Sequence, residues 1–120
     1  MVDKKSDVEQ GKVVAVLSYL VFLVGLIWFF ADDKMRKNSF AKFHLKQAIV
    51  LVVIAIAYSI FASILSFILL ITIIGSVLIP LLGLVWILFL VWVILGIINS
   101  VNGKEKELFW IGGLAKYLTF

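Results

Sequence analysis

His44 is the single histidine of the chain, and Ser59, Ser63 and Ser66 are hydroxyls that recur at helical spacing in its apolar half. A lone histidine beside a long apolar run suits three chemistries: a metal ligand, a haem ligand or a pH sensor. A metal site needs several ligands. The chain has no cysteine and no second histidine, and the acids nearest His44, Asp32 and Asp33, point back toward the preceding apolar run. The plainer expectation is an interfacial histidine that hydrogen-bonds a lipid phosphate or a helix end. Catalysis by a serine needs a base, and acid–base catalysis needs positioned proton carriers. No carboxylate occurs between Asp33 and Glu105, so the serines have no base at depth. The chain therefore reads as a non-enzyme with no cofactor, no metal site and no catalytic residue. The same absence argues against a proton-coupled or ion-coupled pump, which places ionisable groups inside the membrane.

These residues belong to elements that composition makes plain. Of 120 residues, 64% are hydrophobic and 15% charged, against roughly half and a quarter in a soluble domain. From Gln47 to Gly103 there is no Asp, Glu, Lys, Arg or His. That run is long enough to cross a bilayer core twice, at about 20 residues per crossing. The net charge is +4, but the Lys and Arg flank apolar runs, which fits lipid headgroups and topology control rather than nucleic acid.

The expected architecture is a single all-α membrane domain over 1–120 with three transmembrane helices. The first span is Val13 to Ala31, about 28 Å long. It is read as uncleaved, because Phe29, Phe30, Ala31 and Asp32 make a poor signal-peptidase site. The second span runs from Gln47 to about Ile74, with an amphipathic lead-in capped by Asn38 or Ser39. A turn at Gly75–Pro80 leads to the third span, Pro80 to about Asn99. Asn102-Gly103 is a stop signal, and residues 108–120 read as an interfacial segment. Trp28, Trp110 and Tyr117 are its expected interfacial anchors and those of the first span. Arg36, Lys42 and Lys46 are candidate contacts to anionic headgroups.

Ala55, Ser59, Ala62, Ser63 and Ser66 form one small-residue face of the second span, a candidate helix-packing surface. Its hydroxyls have an alternative, which is to bond back to carbonyls of their own helix. For topology, Lys34, Arg36, Lys37, Lys42, Lys46, Lys104, Lys106 and Lys116 would share one side of a three-span chain, and Lys4, Lys5 and Lys12 the other. The positive-inside rule then puts the first connection and the C-terminus in the cytoplasm and the N-terminus outside.

Three blocks carry a family resemblance: Ala15-Val16-Leu17-Ser18-Tyr19-Leu20, then Asn38-Ser39-Phe40-Ala41-Lys42-Phe43-His44-Leu45-Lys46-Gln47-Ala48, then Asn102-Gly103 with Leu108 to Gly112. Together they resemble the small prokaryotic multi-pass membrane proteins grouped as DUF4870, or Tic20-like. Asn38, Phe40, Phe43, His44 and Gln47 are the residues that carry the likeness. It implies a multi-pass helical protein of the cell membrane distantly similar to a subunit of a protein-import machinery, and no known activity. Two functions are open. One is a structural or interaction subunit that assists translocation or assembly, with the bilayer and other membrane proteins or its own copies as partners. The other is a small homo-oligomeric channel or permease lined by Ser59, Ser63, Ser66 and Thr72.

Overall fold

The fold is a computed structural model that describes residues 4–120. Every regular element is helical: α1 Lys4–Leu20, α2 Phe22–Ala31, α3 Asp33–Arg36, α4 Ser39–Leu69, α5 Ile73–Val101, and a closing 3₁₀ turn Gly112–Tyr117.

Among the described residues two helices, α4 and α5, are long and apolar enough to cross a membrane, where three were expected. The first apolar run is the one that fails. It breaks at Val21, whose φ of −134° and ψ of 83° leave the helical region. Beyond the break, α2 doubles back along α1. The corner is held by local chemistry: Ser18 Oγ donates to the Val14 carbonyl, and Gly25 lies against the Ser18 backbone, where a Cβ would come within 2.7 Å of its nitrogen. Phe29 then joins Val14, Met35, Ala41 and Leu45 in one buried cluster. By Asn38 the chain has returned to Asp7, near the start of α1, and bonds to it. α2 has ten residues, about 15 Å, or half of a ~30 Å hydrocarbon core.

α4 and α5 form a long antiparallel hairpin of 31 and 29 residues. Its turn is at Leu70–Thr72 and not at Gly75–Pro80. Thr72 caps α5 by accepting from the Gly75 amide at 3.0 Å, and donates its own hydroxyl to the Leu69 carbonyl. The expected pore-lining hydroxyl is thus a helix cap. Gly75 is helical and packs against the Leu69 backbone, while Pro80 lies inside α5. At the other end of α5, Gly103 takes φ 71°. The Lys104 amide reaches the Asn99 carbonyl at 2.8 Å and the Gly103 amide the Ser100 carbonyl at 3.3 Å, a glycine-terminated helix end.

The molecule is thick at one end and thin at the other. Between Val52 and Leu88 Gly75 alone is buried, whereas the buried residues of α4 fall in Phe40–Leu51 and those of α5 otherwise in Phe89–Ser100. The α1–α2 hairpin and the C-terminal segment pack at that end. The N-terminal helix, the first connection and the C-terminal segment meet there. Asn38 and Ser39 donate hydrogen bonds to Asp7, which ties the start of α1 to the first connection.

The corner generates a prediction. Gly25→Val should force α2 off the Ser18 backbone and destabilise the chain by about 1–3 kcal/mol, read as a lowered unfolding midpoint in detergent. An unchanged midpoint would mean that α2 does not lie against α1.

Candidate functional site

The residues singled out from sequence converge on one buried polar joint at the thick end. Asn38 begins it. As the N-cap of α4 its Oδ1 accepts from the Ala41 amide at 2.9 Å, and its Nδ2 donates to the Asp7 carbonyl at 2.9 Å. The Asp7 carboxylate in turn accepts from the amide and the hydroxyl of Ser39, at 3.0 and 2.8 Å. A cap that also receives a neighbouring helix fixes where α4 starts and where α1 docks.

His44, fully buried, is the next rung. Its Nε2 lies 2.7 Å from the Lys104 carbonyl and its Nδ1 2.8 Å from the Tyr19 hydroxyl. A carbonyl only accepts, so Nε2 carries the proton and Nδ1 accepts from Tyr19, which assigns the neutral tautomer by hydrogen-bond logic. The ring is enclosed edge-on by Phe40 and Phe43, with centroids 4.7 and 5.1 Å away. Both nitrogens are occupied, and neither reaches the surface. The expected contact with a lipid phosphate is replaced by a bond to the carbonyl just past the end of α5.

Gln47 is the third rung. Its Oε1 accepts from the Leu108 amide at 2.9 Å and its Nε2 donates to the Gly112 carbonyl at 2.9 Å. Residues 104–112 have no helix ladder of their own, and backbone groups buried without partners are costly. One amide side chain satisfies both ends of that loop. Between them the chain turns through Trp110, which holds φ 68° with its ring 83% exposed. A bulky residue in this region is unusual and strained. The Ile111 and Gly112 amides close the turn on the Phe109 and Leu108 carbonyls, each at 2.8 Å.

The other candidate residues lie elsewhere. Arg36 is exposed, pairs with Asp33 and donates to the Phe30 carbonyl at 3.0 Å. Lys42 and Lys46 are half-buried, and the Lys46 ammonium stands 4.8 Å from the Phe120 ring centroid. Trp28 and Tyr117 are exposed. On the small-residue face, Ala55 packs against the main core. Ser59, Ala62, Ser63 and Ser66 line a cavity of about 320 Å³ with Ile79, Leu82, Gly83 and Trp86 of α5. The face thus looks at its own neighbour across a groove that α5 does not fill. No group of three or more His, Asp or Glu able to hold a metal occurs among the described residues.

Sequence reasoning missed Asp7 and Tyr19 as members of the joint. The signal for Tyr19 was a hydroxyl in the middle of an apolar run, which must find a partner when buried. Gly96 makes room for the Tyr19 ring, since a Cβ there would clash with it.

This geometry is that of a small helical membrane protein whose buried polar residues are spent on tying its own segments together. The family model for the magnetosome magnetite crystal formation protein family (MamF/MmsF) matches residues 10–112. The match spans most of the chain, and the chain belongs to that family. It overturns the resemblance to the DUF4870 or Tic20-like proteins, and the implied link to protein translocation goes with it. No curated protein and no solved structure matches the chain.

The joint generates a second prediction. Gln47→Leu keeps the volume but leaves the Leu108 amide and the Gly112 carbonyl unpaired, at about 1–3 kcal/mol for each stranded group. The segment 104–120 should exchange its amides and be cleaved by protease faster than in the parent, with α4 and α5 unaffected. Unchanged protection of the Leu108 amide would overturn this role for Gln47.

Proposed function

We propose that the chain is a non-enzymatic membrane protein that acts in magnetite crystal formation through the membrane and through partners at its charged end. The observation that carries this is the family match over residues 10–112. The arrangement of charge narrows it. Because Asp7 bonds the first connection and His44 bonds Lys104, the basic residues of all three polar segments gather at one end. Lys12, Lys34, Arg36, Lys37, Lys42, Lys46, Lys104, Lys106 and Lys116 all belong to it. The positive-inside rule puts that end in the cytoplasm, with the N-terminus now beside the first connection. The opposite end, Leu70 to Ser76, carries no charge, and its two hydroxyls are spent on the Leu69 and Ile73 carbonyls.

The reading that the protein is not an enzyme is supported by the engagement of His44 on both nitrogens and by the lack of a base near Ser59, Ser63 and Ser66. Copies of the chain and other membrane proteins are the proposed partners, together with the bilayer.

Two measurements test this. In magnetite-forming cells, removal of the protein should change crystal size or number under electron microscopy, and the full chain should restore it; unaltered crystals would refute the role. The chain has no cysteine, so Lys34→Cys and Lys116→Cys should react with an impermeant thiol reagent from the same side, and Ser76→Cys from the other. Labelling of Lys34→Cys and Lys116→Cys from opposite sides would refute the topology.

A further inference from the structure

The α1–α2 hairpin has an outer surface that the chain leaves largely uncovered. Leu20, Leu23, Val24 and Ile27 are each 46–65% exposed, and Phe30 at its edge meets the Phe120 ring. They lie on the same end of the molecule as the basic residues. Phe22, just past the corner, packs against the cluster that holds Ala48, Leu51, Phe89 and Trp92. The corner therefore reaches the level of Leu51, roughly 7 Å along α4 beyond Lys46, the last charge before the apolar run. That is the depth at which interfacial helices sit in a leaflet.

We propose that this hairpin is a wedge in one leaflet, and that the chain prefers anionic membranes curved convex toward its charged end. The occupant of the uncovered surface is lipid. Two observations favour lipid over a second copy. The exposed apolar residues of α2, Leu23, Val24, Ile27, Trp28 and Phe30, spread over nearly half of the helix circumference, whereas a coiled-coil seam is a narrower stripe. The surface is also rimmed by Lys34, Arg36, Lys37 and Lys42, which complement anionic headgroups.

The consequence is geometric. On the charged side the leaflet must accommodate α1, α2, α4, α5 and the C-terminal segment. On the other side it accommodates α4 and α5 alone, since between Val52 and Leu88 only Gly75 is buried. With helices about 10 Å across, the protein's cross-section is about twice as large in one leaflet as in the other. Such a body relieves packing stress where that leaflet is stretched, as insertion into one leaflet is curvature-sensitive.

The inference rests on the membrane reading above, and one experiment separates the two. The full chain carrying Lys34→Cys is reconstituted from detergent, in both orientations, into phosphatidylcholine–phosphatidylglycerol vesicles, either small sonicated or large extruded. An impermeant maleimide then reads the fraction with the charged end outward. The outward-to-inward ratio should be ~2-fold or more higher in small vesicles, whose outer leaflet is convex. Leu23→Lys with Ile27→Lys, both on exposed positions, should abolish that difference while Ser76→Cys still labels from the side opposite Lys34→Cys. A ratio independent of vesicle size in the parent overturns the wedge and leaves the membrane reading standing. Labelling of Lys34→Cys and Ser76→Cys from one side overturns both. Cross-linking of Leu23→Cys between copies, with a ratio insensitive to size, overturns the wedge and assigns the surface to a second copy.

Discussion

Unpaired backbone polar groups are the constraint on which the rest of this structure depends. Helices satisfy their own amides and carbonyls, but a chain that must enter, turn and leave near a bilayer has segments that do not. Here those segments are the start of α4 and the loop 104–112. Three side chains of α4 serve them: Asn38 at its cap, His44 two helical turns in, and Gln47 one turn further. Each bonds backbone or side chain from a segment distant in sequence, at 2.7–2.9 Å. Without them the N-terminal hairpin and the C-terminal segment would have little besides apolar contact to fix their register on α4.

This explains why the most distinctive sequence block reads as functional yet has its polar side chains committed to contacts within the chain. Asn38, His44 and Gln47 are polar residues beside a long apolar run, the pattern expected of ligands. They are buried to 2%, 0% and 1% exposure, with donors and acceptors committed. In a protein with so little polar core, spending them on architecture is reasonable, since a satisfied buried network specifies one arrangement.

Much of the fold was legible. The long uncharged run separates into α4 and α5 as composition demands, Asn38 caps α4, and Asn102-Gly103 ends α5. What was not legible has a common cause. The first apolar run has the length of a span, and nothing in its periodicity marks Val21 as a corner. The break depends on contacts made afterwards, by Tyr19 with His44 and by Gly25 with Ser18. The turn between α4 and α5 was misplaced for a related reason: glycine and proline are the usual punctuation, but in an apolar setting the Thr72 hydroxyl was the better cap, and Gly75 was needed for a close approach. The joint was half legible, since its α4 members stand together in sequence while Asp7 and Tyr19 come from α1.

The same first-run correction changes what a role in crystal formation demands of the molecule. A three-span chain would expose a charged N-terminal tail on the side opposite the first connection. A two-span chain with a returning hairpin leaves only Leu70 to Ser76 there, with no carboxylate and no basic group. An iron oxide surface presents charged and hydroxylated sites, for which charged side chains are the natural ligands. A direct grip on mineral by the far end would have to come from two hydroxyls that already donate to helix carbonyls. The chemistry available to this chain lies in its basic residues and, on the wedge proposed above, in the unequal space it would take in the two leaflets. On the proposed role, an influence on a crystal would be exerted through the shape and composition of the surrounding membrane, or through proteins recruited at the charged end.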